Sequence, residues 1–166
     1  MRAATKRAAA KSLLALTAAD LMMSPVVTIP EGTSLRDAAR LLSRSNITGA
    51  PVVDPAGRCI GVLSSSDFVT RAGAEGEEIS FIAPWGEMIS VEDSPDNEIR
   101  HYMTVQPVTV LPTTPVGELA QKMVDAHIHR VLVVGEHNRP CGIVSSTDVV
   151  AAVARAAQTA SQEHEQ

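Results

Sequence analysis

What most constrains this chain is that much of it is written twice. Shifting the sequence by 81 positions lays Met22–Val69 on Met103–Val150 without a gap, and fourteen of those 48 pairs are identical. That is several times what ordinary composition would produce. The identities include Thr28/Thr109, Thr33/Thr114, Ile47/Ile128, Val52/Val133, Val53/Val134, Gly61/Gly142, Ser64/Ser145, Ser65/Ser146 and Asp67/Asp148. A repeat of this length is a folding unit rather than a short motif. The expectation is therefore two similar units, related by a pseudo-twofold axis and sharing one core.

Each copy reads β-α-β-β-α, an α+β unit. "VVTI" (26–29) and "PVTV" (107–110) are β-branched runs that predict strands. Thr33 and Thr114 are then expected as helix N-caps, with Pro115 at the first helical position. Leu35, Ala38, Ala39 and Leu42 follow at helical spacing, and Val116, Leu119, Ala120 and Met123 repeat the pattern. "APVVD" (50–54) and "VLVVG" (131–135) predict strands that turn through "PAG" and "EHN" into the return strands "CIGVLS" and "CGIVSS". "SDFVTRA" and "TDVVAAVARAA" begin the closing helices. The central strands are apolar throughout, as for strands covered on one or both faces.

Composition narrows the function classes. Hydrophobic residues make up 45% of the chain but aromatics only 2%, so the core is aliphatic. A net charge of −5 argues against a nucleic-acid face. No apolar run approaches the roughly 18–20 residues that cross a bilayer. Cys59 and Cys141 form no close-spaced metal or redox motif and are expected as small buried hydrophobes in a reducing compartment, hence a cytoplasmic location. His127 and His129 lie two apart, but no Cys, Asp or Glu completes a metal set. No nucleophile–base–orienter combination recurs, which argues against an enzyme.

The organisation expected from these signals is a basic tail (1–11), repeat 1 (12–71), an acidic insert (72–98), repeat 2 (99–158) and a C-terminal tail (159–166). The tail "MRAATKRAAAK" carries four basic residues and no acidic one; a frayed or helical terminus is expected, with a targeting segment as the other reading. The segment 71–99 holds eight acidic residues, one basic residue and the only Trp, Trp85. Its stretch "ISFIAPWGEMISV" is too apolar for a pure linker, so part of it is expected to pack.

The repeated ending, "GVLSSSD" (61–67) and "GIVSSTD" (142–148), carries the chemistry. A strand stops there and a helix begins, exposing free backbone N–H groups and a positive dipole end. Serines beside that end suit a phosphate, and a carboxylate one turn away suits a ribose diol. Glycines leave space where a ring or a backbone must come close. Ser and Asp at a helix start are equally ordinary caps, and duplication does not separate the two readings.

The β-α-β-β-α unit, the "G-h-x-S-x-x-D" ending (h apolar) and "HIHRVLVV" before the hairpin together resemble the cystathionine-β-synthase (CBS) domain, and two in tandem resemble a Bateman module. The resemblance covers about Leu16 to Ala157. It implies phosphate contacts from Ser64 and Ser145 and ribose contacts from Asp67 and Asp148. It also implies an adenine site formed by Thr28 with Gly49, Ala50 and Pro51, and by Thr109 with Arg130, Val131 and Leu132. The His129–Arg130 pair matches family positions that hold phosphates; the first copy has Thr48–Gly49 there, so the two clefts should differ in charge. The function implied is a regulatory module that binds AMP, ADP or ATP, with S-adenosylmethionine as another adenosine ligand, requires no cofactor and modulates an unidentified partner protein. A homodimer is implied too, with the small residues of "VVAAVARAA" as a candidate contact. The other reading is a structural or interaction module with degenerate clefts and no nucleotide.

Overall fold

The structure is a computed structural model and describes residues 12–69, 78–82, 88–92 and 98–163. Repeat 1 contains β1 (Ile29–Pro30), α2 (Leu35–Arg44), β2 (Gly49–Val53), β3 (Cys59–Ser64) and α3 (Ser65–Val69), after a short α1 (Ala18–Leu21). The insert forms β4 (Glu78–Ile82) and β5 (Met88–Glu92). Repeat 2 contains β6 (Thr104–Val105), β7 (Thr109–Val110), α4 (Val116–Asp125), β8 (Arg130–Val134), β9 (Pro140–Ser145) and α5 (Ser146–Glu163). The β-α-β-β-α order predicted for each copy is present.

Within a repeat the first strand pairs parallel to the second through the helical crossover, and the second and third form an antiparallel hairpin. The first strands are shorter than "VVTI" and "PVTV" suggest, because only two residues of each find a partner on the neighbouring strand. In α2, Leu35, Ala38, Ala39 and Leu42 are all buried, as their spacing requires. The N-caps fall one residue later than expected. Ser34, not Thr33, accepts the Asp37 amide at 3.1 Å, and Pro115 occupies the cap of α4 rather than its first turn. The Thr114 hydroxyl instead accepts the Leu111 amide at 3.1 Å and closes the preceding turn. Both helices stop on a left-handed residue, Asn46 and His127, each at φ 52°. The amides of Ile47 and Ile128 then reach back to Leu42 and Met123, the pattern of a Schellman stop. His127 is thus part of a helix end, and among the described residues no three His, Cys, Asp or Glu side chains are placed to hold a metal.

The leading segment of each repeat packs on the other one. Ala18 of α1 is fully buried in the core of repeat 2 with Val110, Leu119 and Val133. Ile99, the first residue of repeat 2, is fully buried in the core of repeat 1 with Ile29, Leu63 and Phe68. The exchange is reciprocal in the sheets as well. β6 pairs with the edge of β3, and Met23 exchanges backbone hydrogen bonds with Ile143 of β9. Boundaries at 12 and 99 therefore divide the sequence but not the packing.

This exchange explains the paired glycines. A Cβ on Gly61 would lie 2.6 Å from the Met103 sulfur and 2.9 Å from the Thr104 carbonyl; one on Gly142 would lie 2.7 Å from both Cβ and Cγ of Met22. What comes close to each glycine is the crossing segment, a methionine side chain in both copies and, at Gly61, the Thr104 backbone carbonyl as well. The backbone approach that the sequence implies is therefore present at Gly61, and no ring among the described residues comes close to either glycine.

Strands β4 and β5 form an antiparallel hairpin, with Ile79 opposite Val91 and Phe81 opposite Ile89. β4 runs beside α2, and β5 beside α3. Part of the insert thus packs on repeat 1, while Trp85 and the basic stretch 1–11 lie outside the described residues. α5 continues to Glu163, five residues into the stretch expected as tail. Ala152 on this helix is only 2% exposed and belongs to the interior, whereas Val150, Val153, Ala154 and Ala157 are exposed at helical spacing.

Candidate functional site: a cleft between the repeats

Side chains alternate across β3 and β9. Gly61 and Leu63, like Gly142 and Val144, are buried, and Val62 and Ile143 point to the opposite side, toward the other repeat. The two hairpins meet there. Cys59 packs on Leu132 and Val134, and the Asn138 side-chain amide donates to the Cys59 carbonyl at 2.8 Å. Burial pushes both thiols up, Cys59 and Cys141 alike, so neither is activated as a nucleophile.

Beside this contact lies a cleft of about 420 Å³, within the range of small-molecule sites. Repeat 1 lines it with Thr48, Gly49, Ala50 and Pro51 of the β2 region and with Ser64, Ser65 and Ser66 where β3 passes into α3. Repeat 2 adds His129, Arg130, Val131 and Leu132 of the β8 region. The cleft therefore draws together site candidates that the sequence assigned to two separate clefts, and it sets His129 and Arg130 in the same cavity as Ser64. Arg130 is exposed, and no carboxylate lines the cleft. An anionic group on a largely apolar body fits such a lining.

Thr28, Asp67, Thr109, Ser145 and Asp148 are not among the residues lining this cleft. Both aspartates serve locally. Asp67 Oδ2 accepts the Ser64 amide at 2.6 Å and the Ser64 hydroxyl at 2.8 Å. Asp148 Oδ2 accepts the same two donors of Ser145 at 2.7 and 2.6 Å, and the Asp148 amide donates back to the Ser145 hydroxyl at 3.2 Å. S-x-x-D is thus a full capping box at Ser145–Asp148, with Asp in the place of the usual Glu or Gln, while at Ser64–Asp67 only the carboxylate half of the box is made. The Ser64 hydroxyl proton is committed to Asp67, so it must turn before it can donate to a phosphate. Oδ1 of each aspartate makes no hydrogen bond among the described residues.

Residues missed from sequence also line the cleft: Val62, Thr104, Gln106, Pro107, Val108, Ile128 and Ile143. The period-2 alternation around Gly61 and Gly142 could have found Val62 and Ile143. Nothing local marked 104–106, which reach the site because β6 crosses to β3, whereas Pro107 and Val108 lead into β7 beside β8 of their own repeat.

The CBS domain profile matches residues 18–73 and 99–155, one match for each repeat. This chain belongs to the CBS domain family. Among curated relatives of this CBS pair, protein MJ1426 of Methanocaldococcus jannaschii is 27% identical over 150 residues, covering 81% of this chain and 89% of the relative. L-aspartate semialdehyde sulfurtransferase of the same organism is 28% identical over 130 residues, or 78% of this chain but 22% of that protein. Among solved structures, the CBS domain pair of protein MJ0100, in complex with 5′-methylthioadenosine and S-adenosyl-L-methionine, superposes with a TM-score of 0.64 at 27% identity, over 82% of this chain and 94% of that one. CBSX2, in complex with AMP, gives a TM-score of 0.67 at 22% identity, over 84% and 97% of the two chains. The tandem α+β architecture is that of a CBS pair.

Proposed function

We propose that this CBS pair is a ligand-sensing module that binds adenine nucleotides (AMP, ADP or ATP) and modulates a partner protein. The observation that carries the reading is the cleft between the repeats, with apolar walls, an exposed Arg130 and no carboxylate. The adenosine ligands of the MJ0100 pair support the same chemistry and make S-adenosylmethionine the competing ligand. In this cleft Arg130 and His129 hold phosphate with Ser64, and β2 and β8 flank the base. Thr28 and Thr109 (base), Ser145 (phosphate), and Asp67 and Asp148 (ribose) do not line it and are proposed as contacts only for a ligand that reaches beyond it or occupies a second, repeat-related cleft. Binding alters the partner only if the partner favours one ligand state over the other. The module needs no cofactor and has no catalytic role; its two free cysteines suit a reducing cytoplasm.

Calorimetric titration of Arg130→Ala tests the phosphate role. A guanidinium–phosphate pair is worth about 1.5–3 kcal/mol, so ATP affinity should fall about ten- to a hundredfold while adenosine affinity changes little. Equal losses for ATP and adenosine would refute it. The serine–aspartate caps of both copies favour a second reading, a structural module whose S-x-x-D endings only start helices; it predicts no heat of binding for any adenosine compound.

The module pairs with a second copy through α5, where Val150 is 66% and Val153 49% exposed, and α4, which packs against α5, adds an exposed Val124 at 66%. Light scattering should give about twice the 17.5 kDa chain mass at micromolar concentration. A strict monomer with and without nucleotide would exclude pairing.

A further inference from the structure

Gln106 lies in the short link between β6 and β7 and lines the cleft. Its φ is +54°, in the left-handed region that non-glycine residues rarely adopt. The residue after it is Pro107, which crowds the helical regions of the residue before it. The other left-handed side-chain-bearing residues have local reasons: Asn46 and His127 end helices, and His137 and Asn138 shape the β8–β9 turn. Gln106 does neither. Its side chain is exposed at the cleft and makes no hydrogen bond among the described residues. The equivalent position in repeat 1 is Pro25, which has no hydrogen-bonding side chain.

We propose that Gln106 is the base-reading residue of this cleft, held in a left-handed conformation so that its carboxamide pairs with the amino edge of adenine. The inference rests on the adenine-nucleotide reading above. A carboxamide offers one acceptor and two donors in one plane. Its oxygen accepts from the exocyclic 6-amino group while its NH2 donates to the adjacent ring nitrogen, the bidentate pairing that Gln makes with adenine. A 6-oxo purine presents an acceptor where adenine presents a donor, so one of the two bonds is lost. Pro107, Val108 and Ile143 give the apolar wall on which the ring packs.

The test is titration of wild type and Gln106→Gly with AMP and with inosine monophosphate. Glycine adopts φ +54° without strain, so the variant should unfold at the same or a higher temperature. AMP affinity should fall about tenfold, the loss expected for one good bidentate pair, while inosine monophosphate, which keeps only one of the two bonds, should lose severalfold less. A variant that binds AMP as tightly as wild type, or loses both ligands equally, overturns the base-reading role alone. A wild type that binds neither ligand overturns the nucleotide reading of the cleft, and this inference with it.

Discussion

Gly142→Ala should destabilise the protein by about 2–3 kcal/mol, near the top of the range for forcing atoms into a packed interior. The new methyl group would sit 2.7 Å from both Cβ and Cγ of Met22, so the crossing segment must shift and not merely turn a side chain. Gly61→Ala should cost somewhat less, since the Met103 atoms it meets are the sulfur and Cγ, at 2.6 and 3.0 Å, which can turn away, leaving the Thr104 carbonyl at 2.9 Å as the backbone obstacle. Double-mutant cycles sharpen this. Met103→Ala removes the offending sulfur and Cγ and should rescue part of the Gly61→Ala loss. Met22→Ala leaves its Cβ in place and should rescue Gly142→Ala less. Denaturant melts measure the wild type and all six variants. Additive losses in both cycles would show that the crossing segments do not press on the glycines.

Asp148→Ala should lower both stability and ligand affinity. The capping box it completes starts α5, and losing a cap costs about 1 kcal/mol, up to about 2 where the helix depends on it. Asp67→Ala removes the carboxylate that caps the Ser64 amide and hydroxyl at the start of the five-residue α3 and should cost about the same or less. If Oδ1 also accepts from a ribose diol, each change removes hydrogen bonds to a charged group, about 1.5–3 kcal/mol of binding, or roughly ten- to a hundredfold in affinity. Thermal melts and nucleotide titrations of the same variants separate the two roles. Reduced stability with unchanged affinity, in a wild type that binds nucleotide, would leave the aspartates as caps alone.

The two roles were not separable from the sequence because they use the same atoms. A carboxylate three residues after a helix-starting serine caps whether or not a ligand is present. The bonds from Ser64 and Ser145 establish the capping role, since both donors lie within hydrogen-bond reach of one Oδ2. The cap at Ser34 rather than Thr33 shows a similar limit. Adjacent hydroxyl residues offer two starts one residue apart, and the choice follows which one reaches the Asp37 amide.

The sequence by itself determined the repeat, the order of elements within it, the helical faces around Leu35–Leu42 and Val116–Met123, and the family. All of these rest on signals spread over a few residues or on an offset of the chain against itself. Only the tertiary structure decided that α1 packs on repeat 2 and Ile99 on repeat 1. It also decided that Arg130 shares a cleft with Ser64, that Gly61 and Gly142 make way for methionines, and that Ala152 faces inward on α5. The physical reason is common to these. Local pattern records which face of an element is apolar, but not which distant element covers it, and in a duplicated chain either copy could supply the cover. Only in the fold is it settled that the crossing segments are exchanged, and that exchange carries Gln106 into the cleft.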